Sequence, residues 1–255
     1  MRTRLTLLLL TVCILLLVPA GLLLGSVEIP AAKVFGALSG AGGEDDVTRI
    51  IVMETRLPAV ACAALAGMAL AIAGLLMQTA FSNPLAGPSI MGISTGASLG
   101  VALVLLAFPT ALGLWGRLAT VGSAFAGAMA VMAVLIIFSS LVRSSTMLLI
   151  VGILTGYLAS SAISLLNFFA SSDSVHAYVL WGLGSFSGLP LADLPLFAGL
   201  CLLFTALTAF FVKPLDALLL GERYAANVGV RVGRVRTMLL GVSGALTATV
   251  TAWCG

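Results

Sequence analysis

Long apolar runs broken by short polar stretches set the pattern of this chain. Near residues 5–25, 57–80, 90–108, 118–141, 147–169, 192–212 and 236–254, charge is almost absent over about 20 positions. That is the length of helix needed to cross roughly 30 Å of hydrocarbon. Seven membrane-spanning helices are expected, the third of them short and glycine-rich. Between the second and third, Asn83-Pro84 and Gly87-Pro88 interrupt the pattern. Proline fixes φ, lacks an N–H and disfavours helix in the residue before it, so the chain is expected to reverse there.

Composition agrees with that pattern. Hydrophobic residues make up 61% and charged residues 8% of the 255, which describes an all-α polytopic membrane protein and no water-facing surface of ordinary size. The start, "MRTRLTLLLLTVCILLLVPAG", has a basic beginning and small residues near Ala20, but its apolar run to Gly25 exceeds the roughly 7–15 residues of a signal peptide's core. An uncleaved first span is the expectation.

Charge sets the orientation. With the N-terminus inside, Arg2, Arg4, Arg143, Lys213, Arg223, Arg231, Arg234 and Arg236 fall on the cytoplasmic side, and Lys33, Arg49, Arg56 and Arg117 outside. The excess inside favours that orientation. Most acids, Glu28, Glu44, Asp45, Asp46, Glu54, Asp173 and Asp193, fall outside. The net charge of +3 is thus a topology signal, and no nucleic-acid partner is implied. Cys13, Cys62, Cys201 and Cys254 sit in or at the end of apolar spans and read as packing residues. His176 is the only histidine and has no cysteine or carboxylate at ligand spacing, so neither a metal site nor a cofactor is expected.

Away from their ends, the seven segments contain no Asp, Glu, Lys, Arg or His. Proton relays and intramembrane chemistry depend on such groups, so this chain is expected to be no enzyme and to draw its energy elsewhere. Lys33 is followed by Val34 and Lys213 by Pro214, so the phosphate-binding loop GxxxxGK[ST] is absent. Any ATP hydrolysis is expected on a partner chain.

Two stretches are candidates for function. In the second span Gly67, Ala71, Gly74 and Gln78 fall at i, i+4, i+7 and i+11, on one helix face. Small residues there suit close helix packing, and Gln78 suits either packing or a water-filled path. The one long inside segment runs from Lys213 to Arg236. Within it Leu220, Tyr224 and Val228 recur every fourth residue, Glu222 falls in the first turn and Gly229 is placed to end a helix. A short helix with one apolar face results, to be covered by a partner or by membrane lipid.

The stretch "RLPAVACAALAGMALAIAGLLMQTAFSNPLAGPSIMGISTGASLG", Arg56 to Gly100, closely resembles permease subunits of the FecCD type, the membrane components of ABC importers for iron-siderophores, haem and vitamin B12. "WGLGSFSG" from Trp181 and "LGERYAANVGV" from Leu220 agree with that resemblance. It implies a ten-helix permease fold, of which about seven helices are present, as one membrane domain over residues 1–255 in the bacterial inner membrane. It further implies a translocation path or helix packing near Gly67, Ala71, Gly74, Gln78, Asn83, Pro84, Gly92 and Gly96. An ATPase-coupling segment over 213–236, with Leu220, Gly221, Glu222, Tyr224, Ala225, Val228 and Gly229, is implied as well. The implied partners are ATP-binding cassette subunits, a second permease subunit and an extracytoplasmic binding protein, whose acidic residue Arg56 would meet. By residue type alone Arg56 suits interfacial snorkelling equally well.

Two features depart from the family pattern. RLPR reads RLPA, with Ala59 in place of an arginine, and the sequence stops at "TAWCG", where the family continues with a segment like GFVGLxxPHxxR and three more spans. A truncated gene product or partial sequence is therefore expected, functional or not. A membrane sensor or scaffold holding a cytoplasmic partner fits the residues otherwise, whereas a passive channel lacks filter-like charge rings.

Overall fold

The computed structural model describes residues 2–40, 47–107, 116–142 and 144–255. Glu44, Asp45, Asp46 and Arg143, which entered the charge pattern, lie outside the described residues. Among the described residues all regular structure is helical, in agreement with the expected all-α class. The elements run α1 (Arg2–Leu23), α2 (Ala31–Leu38), α3 (Val47–Ile50), α4 (Leu57–Phe81), α5 (Ile93–Ala102), α6 (Gly116–Leu141), α7 (Ser145–Phe169) and α8 (Ser172–Gly182). They continue with α9 (Leu194–Thr208), α10 (Val212–Leu219), α11 (Glu222–Asn227) and α12 (Val232–Cys254).

Among the described residues, six helical stretches are long and apolar enough to cross a membrane: Thr3–Leu23, Val47–Phe81, Gly116–Leu141, Thr146–Phe169, Leu194–Leu219 and Val232–Cys254. The third expected span, 90–108, is a shorter apolar helix over its described residues, Ile93–Ala107. Among the described residues, six long apolar helices and this shorter one stand at the seven expected positions. Prolines explain two irregularities. A π-helical turn, Ile51–Arg56, precedes Pro58, and a 3-10 turn, Ala209–Phe211, precedes Pro214 in the first turn of α10. In each case the ladder adjusts where the proline ring leaves no room and supplies no N–H.

The chain divides into two compact units, Met1–Leu65 with Phe186–Leu196, and Ala66–Ser185 with Phe197–Gly255. The first holds a small core of Val34, Ala37 and Val52, against which Leu22, Leu23 and Ile29 pack. The second holds the main core, in which Met77, Met91, Met132, Leu135, Leu239 and Leu240 are nearly or fully buried.

Glycine builds the main core's tightest seams. A Cβ on Gly96 of α5 would lie 2.7 Å from the Gly127 carbonyl oxygen, and one on Gly100 would lie 2.0 Å from that of Ser123, both on α6. Gly92, with φ of 77°, meets Gly156 of α7, where a Cβ would lie 2.9 Å from the backbone. Gly92, Gly96 and Gly100 recur every fourth residue. Their spacing lets backbones meet where side chains would hold helices apart. α12 lies along α4 through two hydrogen bonds: the Ser243 hydroxyl donates to the Ala73 carbonyl at 2.9 Å, and Arg236 Nε donates to the Ala80 carbonyl at 3.2 Å. Seven residues forward on α12 correspond to seven backward on α4, so the pair is antiparallel with a two-turn repeat.

Candidate functional site

The face of α4 read from the sequence is real. Gly67, Ala71 and Gln78 are exposed and Gly74 is half-buried, while the opposite stripe, Ala66, Ala69, Ala73, Leu76, Met77 and Ala80, is buried. The four residues thus share the side of α4 that its own unit leaves uncovered. Gly92 and Gly96 stand apart from them: both are buried in the seams of α5 with α7 and α6, where they pack helices.

The reversal at Asn83-Pro84 follows from local chemistry. Ser82 adopts φ of 48° after the last residue of α4, and the Asn83 N–H returns to the Gln78 carbonyl at 3.1 Å. The Asn83 side-chain oxygen then accepts from the Leu85 N–H at 2.9 Å, a side-chain turn typical of asparagine. Pro84 and Leu85 are exposed at the tip.

The inside segment is two helices, where one was expected. α10 ends at Leu219 with Leu220 as its C-cap, and Gly221, at φ of 110° and ψ of 150°, separates it from α11. A residue with a side chain is strongly disfavoured at that φ, so the glycine is what allows the break. The end of α11 is as expected. The Val230 N–H donates to the Ala225 carbonyl at 2.9 Å and the Gly229 N–H to the Ala226 carbonyl at 3.1 Å, with Gly229 at φ of 90°. These paired bonds are the Schellman closure that a left-handed glycine permits.

The roles within this segment divide sharply. Ala225 is fully buried in the main core, which fixes α11 from beneath. Leu219, Leu220, Tyr224 and Val228 are exposed. Glu222, whose side chain remains 43% exposed, pairs with Arg236. Arg236 is 6% exposed and stands in the second turn of α12, so a cation enters a span whose interior was expected to be free of charge. The position is sustainable because one guanidinium edge meets the carboxylate while Nε satisfies the Ala80 carbonyl. Sequence reading counted Arg236 only as a topology charge. Its place at the first residue of the expected span, beyond Arg231 and Arg234, was the available signal.

In the other unit Arg56 is 7% exposed. Its Nη1 donates to the carbonyls of Leu22 at 2.8 Å and Leu23 at 2.9 Å, and its Nη2 donates to that of Val27. The Leu22 and Leu23 carbonyls close α1, where such groups have no partner within the helix, and Val27 lies beyond its end. A cation there also suits the helix dipole. The structure gives Arg56 this internal task within its own unit. A Cβ on Gly25 would lie 2.9 Å from the guanidinium, so the glycine makes room for it.

A cavity of about 400 Å³ opens beside α5, α7 and α8, lined by Ser94, Thr95, Ser98, Ser160, Ile163, Ser164 and Tyr178. Its polar groups are all neutral hydroxyls. Burial pushes the Tyr178 phenol above its ordinary pKa, the opposing influence of Ser98 being smaller. Among the described residues no group of His, Cys, Asp and Glu is arranged to hold a metal.

Comparison with known proteins places these features in context. The model of the FecCD transport family matches residues 9–255. The chain is 34% identical over 244 residues to the uncharacterised ABC transporter permease protein YvrB of Bacillus subtilis (strain 168), covering 92% of this chain and 69% of that protein. It is 33% identical over 218 residues to the vitamin B12 import system permease protein BtuC of Pectobacterium atrosepticum, covering 83% of this chain and 62% of that one. It is 30% identical over 238 residues to the hemin transport system permease protein HmuU of Yersinia pestis, covering 92% and 70%. A solved inward-facing conformation of an ABC transporter assigned to the metal-chelate type superposes with a TM-score of 0.82 at 25% identity, covering 98% of this chain and 76% of that one. The chain thus spans between 62% and 70% of the length of these three curated relatives.

Proposed function

Because the chain belongs to the FecCD transport family, we propose that it acts as a membrane-spanning permease subunit of an ABC importer for an iron chelate, haem or cobalamin. The family and the six apolar helices make it a multi-pass protein of the bacterial inner membrane. ATP hydrolysis then belongs to a separate ATP-binding cassette subunit, and a second permease chain completes the path between them. An extracytoplasmic binding protein delivers the substrate.

The observation that carries this reading is the exposed apolar face of the inside segment. Leu219, Leu220, Tyr224 and Val228 stand uncovered at the end of α10 and along α11, while Ala225 fastens α11 to the core. A helix fixed on one side and apolar on the other can pass a push from a partner into the spans, and its burial is worth about 1.5–3 kcal/mol per large side chain. The uncovered face of α4, Gly67, Ala71, Gly74 and Gln78, supports a second role in the path or in packing beside it.

Uptake in vesicles tests the reading. The chain, combined with its transporter's ATPase and binding protein, should take up vitamin B12, haemin or a ferric siderophore only when ATP is present inside. ATP-independent accumulation would support a passive pore instead. ATPase binding with no uptake of any of these would support the scaffold reading.

A further inference from the structure

We infer that Arg236 is a positioning residue for energy coupling: it joins the ATPase-facing helix α11 to the end of α4, so that the two move as one piece. The inference rests on the reading of α11 as the ATPase contact. Three observations support it. Arg236 is almost fully buried. Its guanidinium meets both the Glu222 carboxylate, at the first residue of α11, and the Ala80 carbonyl, in the last turn of α4. The reversal at Asn83-Pro84 begins two residues after Phe81, the last of α4.

The chemistry suits this use. α11 has only six residues, too few to be a stable helix by itself, and flanking glycines at φ of 110° and 90° make its ends pivots. Ala225 ties the buried side of α11 to the core. The Glu222–Arg236 pair ties its first residue to α12 and, through Arg236, to the end of α4. A guanidinium can serve both partners because its donors fan out in a fixed plane, which a lysine ammonium does not reproduce. Side chains at Ser139, Ser140, Arg234 and Thr237 line a cavity of about 490 Å³ beside the pair. That space lets the carboxylate side of the pair open without disturbing the packed core.

Two measurements test the assignment. In a Cys13→Ser background, the other three cysteines being buried, spin labels at Ser82→Cys and Arg223→Cys report the α4-to-α11 distance. The native chain should give one narrow distribution, and Arg236→Met and Glu222→Gln should each widen it at least twofold. An unchanged width in both variants would overturn the assignment. The second measurement uses the chain with its ATPase. Glu222→Gln leaves the guanidinium without its carboxylate and should lower the melting temperature, while, measured well below that transition, transport per ATP hydrolysed falls at least fivefold. If transport and ATP hydrolysis instead fall in the same proportion, the pair is an ordinary folding contact and the assignment is wrong. Absence of ATPase from the native preparation would count against the permease reading, while the distance measurement would still decide the role of Arg236.

Discussion

Gly96 of α5 and Gly127 of α6 meet backbone to backbone: a Cβ added to the first would lie 2.7 Å from the carbonyl oxygen of the second. The same position would bring it to 2.5 Å from the Val131 side chain. Gly96→Val should therefore force the helices apart and cost about 1–3 kcal/mol or more, the range for overpacked cores. Gly67→Ala, on the uncovered face of α4 with nothing near its added Cβ, should keep stability or raise it by up to about 1 kcal/mol. Melting temperatures in detergent decide between them, and equal behaviour of the two variants would remove the seam from the account.

Arg56 offers a comparable test in the smaller unit. Arg56→Ala withdraws a guanidinium that donates to the carbonyls of Leu22, Leu23 and Val27, and hydrogen bonds to charged groups contribute about 1.5–3 kcal/mol. The variant should melt lower and expose the segment after α1 to protease. Arg56→Lys should recover only part of the loss, since an ammonium lacks the fork that reaches several carbonyls at once. Native stability with weakened binding-protein capture would instead assign Arg56 to the outward contact.

Local chemistry made some features legible from sequence, and tertiary chemistry hid others. The Asn83-Pro84 reversal and the Gly229 helix end depend on a few consecutive residues, and both are found where expected. The shared face of Gly67, Ala71 and Gln78 follows from helical period alone. Gly92 and Gly96 were visible as small residues, but that they meet Gly156 and Gly127 depends on how α5 packs against other helices. The break at Gly221 escaped because Leu220, Tyr224 and Val228 keep a period of four across it. Arg236 and Glu222 lie 14 residues apart, and only the packing of α11 on α12 brings them together.

Membrane orientation gives a third prediction, resting on the arginine excess that places the N-terminus inside. Reporter fusions after Asp45 and Asp173 should read as outside, and a fusion after Arg223 as inside. A cytoplasmic signal at Asp173 would place α8 and its hydroxyl-lined cavity on the ATPase side and reverse the assignment of α11.

The exposed face at the end of α10 and on α11 is the centre of the functional account, and copurification of ATP-hydrolysing activity with the tagged chain tests it most directly. Tyr224→Ala removes a large exposed side chain from that face, and losing burial of about 1.5–3 kcal/mol corresponds to roughly a 10- to 100-fold weaker complex. Ala225→Leu, by contrast, should unsettle the permease itself, because Ala225 is fully buried. Neutralising Arg231 and Arg234 should leave ATPase recovery near native if a protein partner covers the face, and should release the segment if lipid does. The account predicts ATPase activity with the native chain, at least tenfold less with Tyr224→Ala, and unchanged insertion of both. Equal recovery of ATPase with native and Tyr224→Ala chains would contradict it.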